Sequence, residues 1–455
     1  MSIRFNEGHW QPSTFACPVC AGSAPKPHLL TVGNTQSAEA PGSPLHLYRC
    51  DDCLSLTYDP FPEIDYTQHT STEFVFREYV EFNGAIDLIA RNILRAIPEE
   101  SHGRLLDIGC GFGFGLAAIR DMSSWQVKGY EPSRYGELGR EQLKLDIVSA
   151  FANRNAEPGD RFDIVHCSEV IEHVHDPREF IDILASHLAD DGILILTTPD
   201  ADRIHRGTDT SLLLGLLSPG AHTILFSDIS LVRALKAAGF DHVEVDKSAA
   251  SMLVYASRQP LRLFDRSPAQ FADLMHGYLE QALDRATPGT PVETGLRYRL
   301  FRGAIDAGNY ALAEAVFAPD MTDVAPKTDN IETAEEFAAR WPLCIAASTY
   351  YLGMLMLNHR ADYAGAAQRF RAAARLCRTK IRLRPHTAVV ESDLLWRAVY
   401  HEALALKYAG RTSHALARLA AFVDFDGAAS PRVPENLRPD VIALRDELLG
   451  LPESP

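Results

Sequence analysis

Residues 105–113, LLDIGCGFG, constrain the fold of this 455-residue chain more than any other segment. An apolar run that ends in an acid and is followed by alternating glycines predicts a buried strand turning sharply into a helix. Glycine permits the positive φ angles of such a turn and lets a ligand lie against bare backbone. A tight turn that binds no ligand is the alternative for an isolated motif.

Residues 127–132, VKGYEP, predict a second short strand that ends in the carboxylate of Glu131. An acid at this place is positioned to bind the ribose of a nucleotide cofactor in a Rossmann-type site. A glycine loop with such an acid suits NAD as well as S-adenosylmethionine. The dinucleotide pattern expects a third glycine where this chain has Phe114, although residues 113–118 fit its looser form farther from the strand.

A third motif distinguishes the two cofactors. Residues 162–174, FDIVHCSEVIEHV, predict a strand that leads into an acidic segment with a histidine, and a helix near 176–187 and a strand near 192–198 follow. In this order the motifs closely resemble those of class I S-adenosylmethionine-dependent methyltransferases. The resemblance covers roughly residues 101–257 and is strongest to the branch with quinone O-methyltransferases and bacterial sugar and glycan methyltransferases.

The resemblance implies an α/β fold of the Rossmann-like class I type, with a seven-stranded sheet whose last strand is antiparallel. The spacing leads independently to the same reversal. Strands predicted at 242–246 and 252–256 are too close together for a crossover helix, so they must pair as a hairpin. The remaining strands are predicted near residues 104–108, 126–131, 146–149, 162–167 and 192–198.

The same resemblance implies which residues bind S-adenosylmethionine. The amino-acid head is expected at Asp107 and the glycine loop, the ribose at the end of the second strand, and further contacts after the fourth strand. The implied set is Asp107, Gly109, Cys110, Gly111, Gly113, Glu131, Pro132, Ser168 and Glu169. Adenine should be recognised near residues 149–153, where the usual acid and apolar pair is missing.

Two histidines are candidate catalytic residues. Methyl transfer is an in-line displacement, in which the enzyme positions the nucleophile and removes the proton of a hydroxyl acceptor. His173 is the first candidate base, because the resemblance places the Glu172–His173 pair beside the transferred methyl group. His222 precedes the helix predicted at 228–238 and is the second. A structural role is the alternative for both, and His175 and Asp176 are expected to cap a helix.

Two CxxC pairs, Cys17 with Cys20 and Cys50 with Cys53, stand near the N-terminus. Four thiolates in this arrangement predict a structural Zn²⁺ site of tetrahedral geometry. A redox CxxC is the alternative, but two copies occur here without a surrounding βαβ pattern. The segment between the pairs is rich in Pro, Gly and Ser and is predicted to be a loop.

The predicted domains are a zinc ribbon-like module at 1–60, a helical lead-in covering the cofactor site at 61–100, the methyltransferase core at 101–260 and an all-α domain at 261–455. Three related segments in the all-α part, 308–315, 361–367 and 409–415, resemble tetratricopeptide hairpins. Their spacing of about fifty residues differs from the usual 34, which favours stacked helical pairs over a regular solenoid. The predicted helices span 268–286, 293–317, 334–357, 361–379, 387–410 and 412–424.

Composition limits the partners. Forty-four basic against sixty acidic residues give a net charge of −16, so a nucleic-acid substrate is not expected. No stretch approaches the roughly 20 apolar residues of a membrane span, and a cytoplasmic location is predicted. The expected function is methyl transfer to a hydroxyl of a small-molecule or glycan-linked acceptor. Alternatives are methylation of a protein partner recruited by the C-terminal helices, and a NAD-binding oxidoreductase.

Overall fold

The computed structural model describes residues 3–8, 10–35, 42–63, 72–82, 86–154, 161–384, 388–422 and 433–451. The chain divides into two compact units. The first combines Met1–Thr72 with Ala85–Leu274, and the second combines Glu73–Gly84 with Met275–Pro455.

The first unit is built mainly of strands. They are β1 (Ile3–Phe5), β2 (His28–Gly33), β3 (Pro44–Arg49), β4 (Leu56–Tyr58), β5 (Arg104–Ile108), β6 (Gln126–Tyr130), β7 (Ile147–Val148), β8 (Phe162–Ser168), β9 (Leu188–Pro199), β10 (Ile224–Leu225), β11 (His242–Asp246) and β12 (Ser251–Ser257). Its helices are α2 (Ile86–Leu94), α3 (Phe114–Met122), α4 (Arg134–Leu143), α5 (Pro177–His187), α6 (Thr210–Leu217) and α7 (Asp228–Ala237).

The larger sheet has seven strands in the order β11-β12-β9-β8-β5-β6-β7. Strand β12 runs antiparallel to both β9 and β11, whereas β9, β8, β5, β6 and β7 pair in parallel. This is the Rossmann-like methyltransferase fold, so the predicted fold class and the reversed strand are confirmed. Strands β5 and β8 are buried along most of their length because both faces of a parallel sheet are covered.

Strand order also places the candidate site. The chain passes from β5 to β6 on one side and later returns to β8 on the other side of β5. Ligands of open α/β sheets bind beyond the carboxyl ends of the strands at such a reversal. The segments that follow β5, β6 and β8 therefore meet at one edge of the sheet.

A smaller antiparallel sheet has the order β1-β2-β3-β4-β10. The segment between the two cysteine pairs was predicted to be a loop, and this prediction is wrong. Leu30 and Val32 of β2 and Leu45 and Leu47 of β3 alternate as buried residues and form a hairpin. The turn residues of the connection conceal this period-two pattern.

The N-terminal strands do not form a module of their own, as the predicted 1–60 zinc ribbon-like module had implied. Strand β4 pairs with β10, which lies far along the chain between α6 and α7. Cys17, Cys50 and Cys53 belong to the same apolar cluster as the core strands of the larger sheet. The N-terminal strands are therefore a part of the first unit.

The second unit is helical. Its helices are α1 (Thr72–Phe82), α8 (Pro268–Arg285), which begins in the first unit, α9 (Pro291–Asp306), α10 (Tyr310–Val316), α11 (Ala334–Arg340), α12 (Ile345–Leu355), α13 (Tyr363–Leu383), α14 (Val389–Tyr408), α15 (Thr412–Leu419) and α16 (Arg438–Leu449). The predicted lead-in 61–100 is thus divided, because α1 belongs to the helical unit and α2 to the first unit.

Two long predicted helices are each interrupted. The predicted helix 293–317 ends at Asp306 and resumes at Tyr310, because Gly308 has a φ of 70°. The predicted helix 334–357 is broken between Arg340 and Ile345, where Pro342 removes a backbone donor. The three related segments lie at the starts of α10, α13 and α15, where Asn309 and Asp362 cap the first two. They mark junctions of helical hairpins, and a regular tetratricopeptide array stays a prediction.

Among the described residues, no helix has both the length and the apolar character needed to cross a membrane.

The close approach of α12 and α13 depends on Gly353, because a Cβ there would lie 2.8 Å from the ring of the buried Phe370. We expect Gly353→Ala to lower the free energy of unfolding by about 1–3 kcal/mol, measured by urea denaturation. Gly303→Ala is the matched control, since its Cβ would meet nothing within 4 Å in α9 and should stabilise by up to ~1 kcal/mol. Equal stability of the two variants would contradict this account.

Candidate active site at the carboxyl edge of the sheet

The glycine loop after β5 has the predicted backbone. Gly109, Gly111 and Gly113 have φ angles of 77°, 55° and 76°, in the left-handed region that favours glycine. A Cβ at Gly109 would lie 2.4 Å from Cγ2 of Val170, so a side chain there has no room. A Cβ at Gly111 would meet no atom within 4 Å, so this part of the loop is open.

Most N–H groups of the glycine loop donate hydrogen bonds to backbone carbonyls of the protein. The N–H groups of Gly109 and Cys110 donate to Tyr130 O, and that of Gly113 donates to Cys110 O. Helix α3 begins immediately afterwards at Phe114, and the first N–H groups of a helix have no partner inside it. The first turn of α3 is therefore the better candidate for the donors to the cofactor's carboxylate, which sequence reasoning had placed in the glycines.

Glu131 follows β6 and braces the loop. Its Oε2 accepts from Gly111 N at 3.0 Å, and its Oε1 accepts from Ser133 N at 3.0 Å. Each carboxylate oxygen keeps a second lone pair, so the same side chain can also accept from two ribose hydroxyls. The structure thus brings together Gly111 and Glu131, which the sequence predicted to share one site, while Pro132 lies between Glu131 and Ser133, the N-cap of α4.

Asp107 lies within β5 and is buried. Its Oδ1 lies 2.8 Å from Nδ1 of His166, the residue beside it on β8. A carboxylate oxygen accepts the proton of that nitrogen, so His166 fixes the orientation of Asp107. His166 was not predicted as a site residue, although it stands between the buried apolar residues Val165 and Cys167. The predicted role of Asp107 toward the cofactor head stays a prediction.

Ser168 and Glu169 end β8 at the same edge. Oγ of Ser168 lies 2.6 Å from Oγ1 of Thr197, and Glu169 N donates to Thr197 O. Glu169 has a φ of 55°, which is uncommon for a residue with a side chain and is concentrated at functional sites. Near the expected adenine position, Phe151 is 64% exposed, and it is an apolar candidate that sequence reasoning missed.

The structure also brings both candidate histidines together with Glu172. Nε2 of His173 and Nε2 of His222 each lie 3.9 Å from Oε1 of Glu172. The three donor atoms lie within 4.8 Å of one another. Glu172 Oε2 accepts from Oγ1 of Thr198 at 3.0 Å, but within the described part of the chain Oε1 has no hydrogen-bond partner.

Backbone carbonyls hold the other nitrogen of each histidine. Nδ1 of His173 lies 3.0 Å from Ala221 O, and Nδ1 of His222 lies 2.9 Å from Leu216 O. Because a carbonyl can only accept, Nδ1 of His222 carries the proton and its Nε2 presents a lone pair, while His173 also bonds the backbone of Glu169. This pattern, with one nitrogen held by a carbonyl, is the usual environment of a metal-binding histidine.

The buried surroundings of the cluster favour the neutral forms of its three titratable groups. Burial lowers the pKa of His173, and burial together with His173 lowers the pKa of His222 to about 3. Burial, reinforced by Glu169, raises the pKa of Glu172 well above its usual range. Two neutral rings and an unpartnered carboxyl oxygen are a donor set suited to a divalent cation, whose charge would stabilise the ionised form of Glu172.

His175 and Asp176, expected to cap α5, have different roles. Oδ1 of Asp176 accepts from Arg178 N and Glu179 N, which confirms its cap. His175 stacks on Phe61 at a ring-centroid distance of 4.8 Å and accepts no bond of the helix in the structure as described.

The four cysteines of the CxxC pairs converge. Their sulfur atoms lie within 4.8 Å of one another, with Cys17 to Cys53 and Cys20 to Cys50 both at 3.7 Å. Tetrahedral Zn–S bonds of about 2.3 Å give sulfur–sulfur edges of about 3.8 Å, so the donor set fits Zn²⁺. The near pairs join one knuckle to the other, which does not favour a disulfide within a single CxxC.

Residues 76–245 match a family model described as a methyltransferase domain. The matched segment includes β5, β6 and β8, whose carboxyl ends form the candidate site. The match covers under half of the chain, so the activity of the whole protein is a matter for proposal.

The curated relatives include ubiquinone biosynthesis O-methyltransferases. The protein of that name from Rhodopseudomonas palustris strain TIE-1 is 33% identical over 101 residues, which are 21% of this chain and 39% of the relative. One from Cereibacter sphaeroides is 33% identical over 113 residues, or 24% of this chain and 45% of the relative. The chain therefore spans about two fifths of the length of these relatives.

Solved structures with some similarity include an S-adenosylmethionine-dependent methyltransferase from Thermotoga maritima. It is 19% identical, with a TM-score of 0.34, and the alignment covers 42% of this chain and 96% of that chain. A score this low does not establish a fold, and the fold of the methyltransferase domain rests on its strand order.

The cysteine geometry predicts the metal content. The purified protein should contain close to one equivalent of zinc per chain by mass spectrometry of the metal, and Cys20→Ser should lose most of it because three thiolates bind less tightly. Cys167→Ala is the control, since Cys167 is buried in β8 outside the cluster and should retain the metal. Zinc-free protein with reduced thiols would refute the site.

Proposed function

We propose that this protein is an S-adenosylmethionine-dependent methyltransferase that transfers a methyl group to a hydroxyl of a small-molecule or glycan-linked acceptor. The cofactor occupies the edge formed by the segments after β5, β6 and β8. The observation that carries the proposal is Glu131, whose two oxygens are held by the N–H groups of Gly111 and Ser133 at the point where a ribose must be bound.

Several features favour this cofactor over NAD. The reversed strand β12 differs from the mostly parallel sheet of dinucleotide-binding domains, and the family model describes a methyltransferase domain. The named relatives are O-methyltransferases, which supports a hydroxyl acceptor. A phenolic hydroxyl, as a ubiquinone precursor carries, and a sugar hydroxyl are the two acceptor classes to test first.

In this proposal Glu172, His173 and His222 hold a divalent cation. Two ligands bonded at about 2.1 Å and right angles are about 3 Å apart, so each 3.9 Å spacing closes with a shift of under ~1 Å. Such a cation, when bound, orients the acceptor oxygen and lowers the pKa of its hydroxyl. Held by the Leu216 carbonyl at Nδ1, His222 contributes a fixed Nε2 donor at neutral pH without first losing a proton.

A role for His173 as general base is the second candidate. It explains the position of the histidine, but a base works best when its pKa is near the working pH, and burial lowers the pKa of His173.

The lowered pKa values of His173 and His222 also affect the stability of the folded protein. Both rings stay neutral in the folded protein, so the unfolded chain binds more protons below about pH 6.5, and stability falls as the pH decreases through that range.

A protein acceptor recruited by the helical unit is the alternative class of substrate. Its support is limited to the hairpin junctions at α10, α13 and α15. A pull-down with the full chain as bait that retains a protein which then becomes methylated would favour it over a small acceptor.

Glu131 provides the first test of the proposed function. Isothermal titration should show binding of S-adenosylhomocysteine to the wild type, and Glu131→Gln should weaken it by about tenfold or more, because the amide cannot accept as many hydrogen bonds. Glu137→Gln on α4 is the control, since it changes the same group at a site that pairs with Arg134. Wild-type protein that does not bind the ligand at millimolar concentration would exclude the proposal.

The histidine cluster provides the second test. Mn²⁺ titrations should show a site that His222→Gln weakens by about tenfold or more, whereas His242→Gln on the exposed part of β11 should not. Transfer from methyl-labelled cofactor to 3,4-dihydroxybenzoate and to a panel of sugars should stop when cations are chelated. Transfer that survives chelation but falls about 10²- to 10⁴-fold in His173→Gln would instead make His173 the base.

A further inference from the structure

The segment 217–223, here called the histidine loop, carries the parts of the site that the two histidines depend on. It includes His222 and also Ala221, whose carbonyl holds Nδ1 of His173. Leu216, just before it, supplies the carbonyl that holds Nδ1 of His222. A displacement of this loop therefore moves both rings. The contacts that hold the loop in place come from residues that take no part in methyl transfer.

Tyr58, at the end of β4, contacts the loop at both of its ends. Its OH donates to Leu217 O at 3.2 Å, and its N–H donates to Thr223 O at 3.0 Å. The side chain is 1% exposed, so neither bond is exchanged for a bond to water. One residue of the N-terminal sheet thus sets the distance between the beginning and the end of the histidine loop.

A second contact comes from the turn after β2. Thr35 donates to Pro219 O through its N–H at 2.9 Å and through its Oγ1 at 2.8 Å. Gly220 has a φ of 99° and lies so close to Asn34 that a Cβ would be 2.2 Å from Oδ1. The middle of the loop is therefore held by the same sheet that holds its ends.

The chain leaving the loop is attached as well. Ile224 and Leu225 of β10 pair with Thr57 and Leu56 of β4. Oγ of Ser227 donates to Cys53 O at 2.9 Å, which links the next residues to the second cysteine pair. The cysteine cluster lies directly before β4, so a metal held there also fixes the strand that carries Tyr58.

We propose that Tyr58 is a positioning residue for His173 and His222, and that the cysteine-bearing N-terminal sheet is a structural part of the reaction site rather than a separate binding module. The inference rests on the proposed function for its catalytic meaning. Its structural content does not, because the contacts of Tyr58 determine where the histidine rings lie whether or not a cofactor binds.

Tyr58→Phe removes only the hydroxyl that bonds Leu217 O. Tyr255→Phe is the matched control, since Tyr255 is equally buried and its OH donates to Asn92 O at 2.8 Å, away from the loop. Histidine-labelled ¹⁵N spectra of the full chain should resolve the signals of the two rings, assigned with His173→Gln and His222→Gln. Their signals should shift in Tyr58→Phe and stay in place in Tyr255→Phe.

Turnover and cofactor binding separate positioning from general instability. Tyr58→Phe should reduce kcat for the labelled-methyl reaction by about tenfold and leave S-adenosylhomocysteine affinity within about twofold of the wild type, because small displacements of reacting groups are costly. Thr35→Val gives the same test at an exposed position if Tyr58→Phe does not fold. Unchanged histidine signals and unchanged kcat in the folded variant would overturn the proposal. A wild type that binds no S-adenosylhomocysteine would refute the proposed function instead and leave the spectra to decide the positioning role.

Discussion

The site depends on the pairing of parallel strands β5, β6 and β8, which forces their carboxyl ends to one edge of the sheet. Three segments that are distant in sequence meet there because β5 pairs in parallel with both β6 and β8. Strands β5 and β8 are buried along most of their length, so neither can shift its register without exposing apolar residues. Glu131 fixes the geometry between two of them by accepting from Gly111 N and Ser133 N. The cofactor loop is thus held by one carboxylate rather than by glycine flexibility alone, and that carboxylate keeps lone pairs for a ligand.

Much of this arrangement is predictable from sequence, because its signals are local. The strands of the larger sheet are short apolar runs bounded by turn residues, and the hairpin of β11 and β12 follows from a connection too short for a helix. Glu131 and Gly111 were also identified as partners at one site. The roles of the individual glycines were less accessible, since only coordinates show that the N–H groups of Gly109 and Gly113 bond within the chain.

The features that sequence reasoning missed involve contacts between distant segments. The pairing of β4 with β10 joins residues more than 160 positions apart, and no local pattern at Ile224 and Leu225 distinguishes a strand from a loop. The β2–β3 hairpin was hidden by its long polar connection. The helix predictions extended across the breaks near Gly308 and Pro342, because the helical periodicity is strong on either side of each break. For the strand pairings, tertiary contacts decided between conformations that the local sequence allowed equally, whereas Gly308 and Pro342 are local signals of the two helix breaks.

The electrostatics of the histidine cluster indicate what the N-terminal sheet contributes. A buried carboxyl oxygen without a partner costs about 1–3 kcal/mol, and two buried neutral imidazoles add a further preference against protonation. If the histidine loop were free to move toward Glu172 or away from it, this energetic cost would decrease. Tyr58 and Thr35 prevent that relaxation, because they bond the loop at its ends and its middle. The cost therefore persists in the folded protein unless Glu172 binds a proton, which its raised pKa favours, or a cation binds between Glu172 and the two rings. The cysteine cluster and the histidine cluster are therefore structurally coupled. The cysteine cluster stabilises strand β4, and Tyr58 of β4 holds the histidine loop in place.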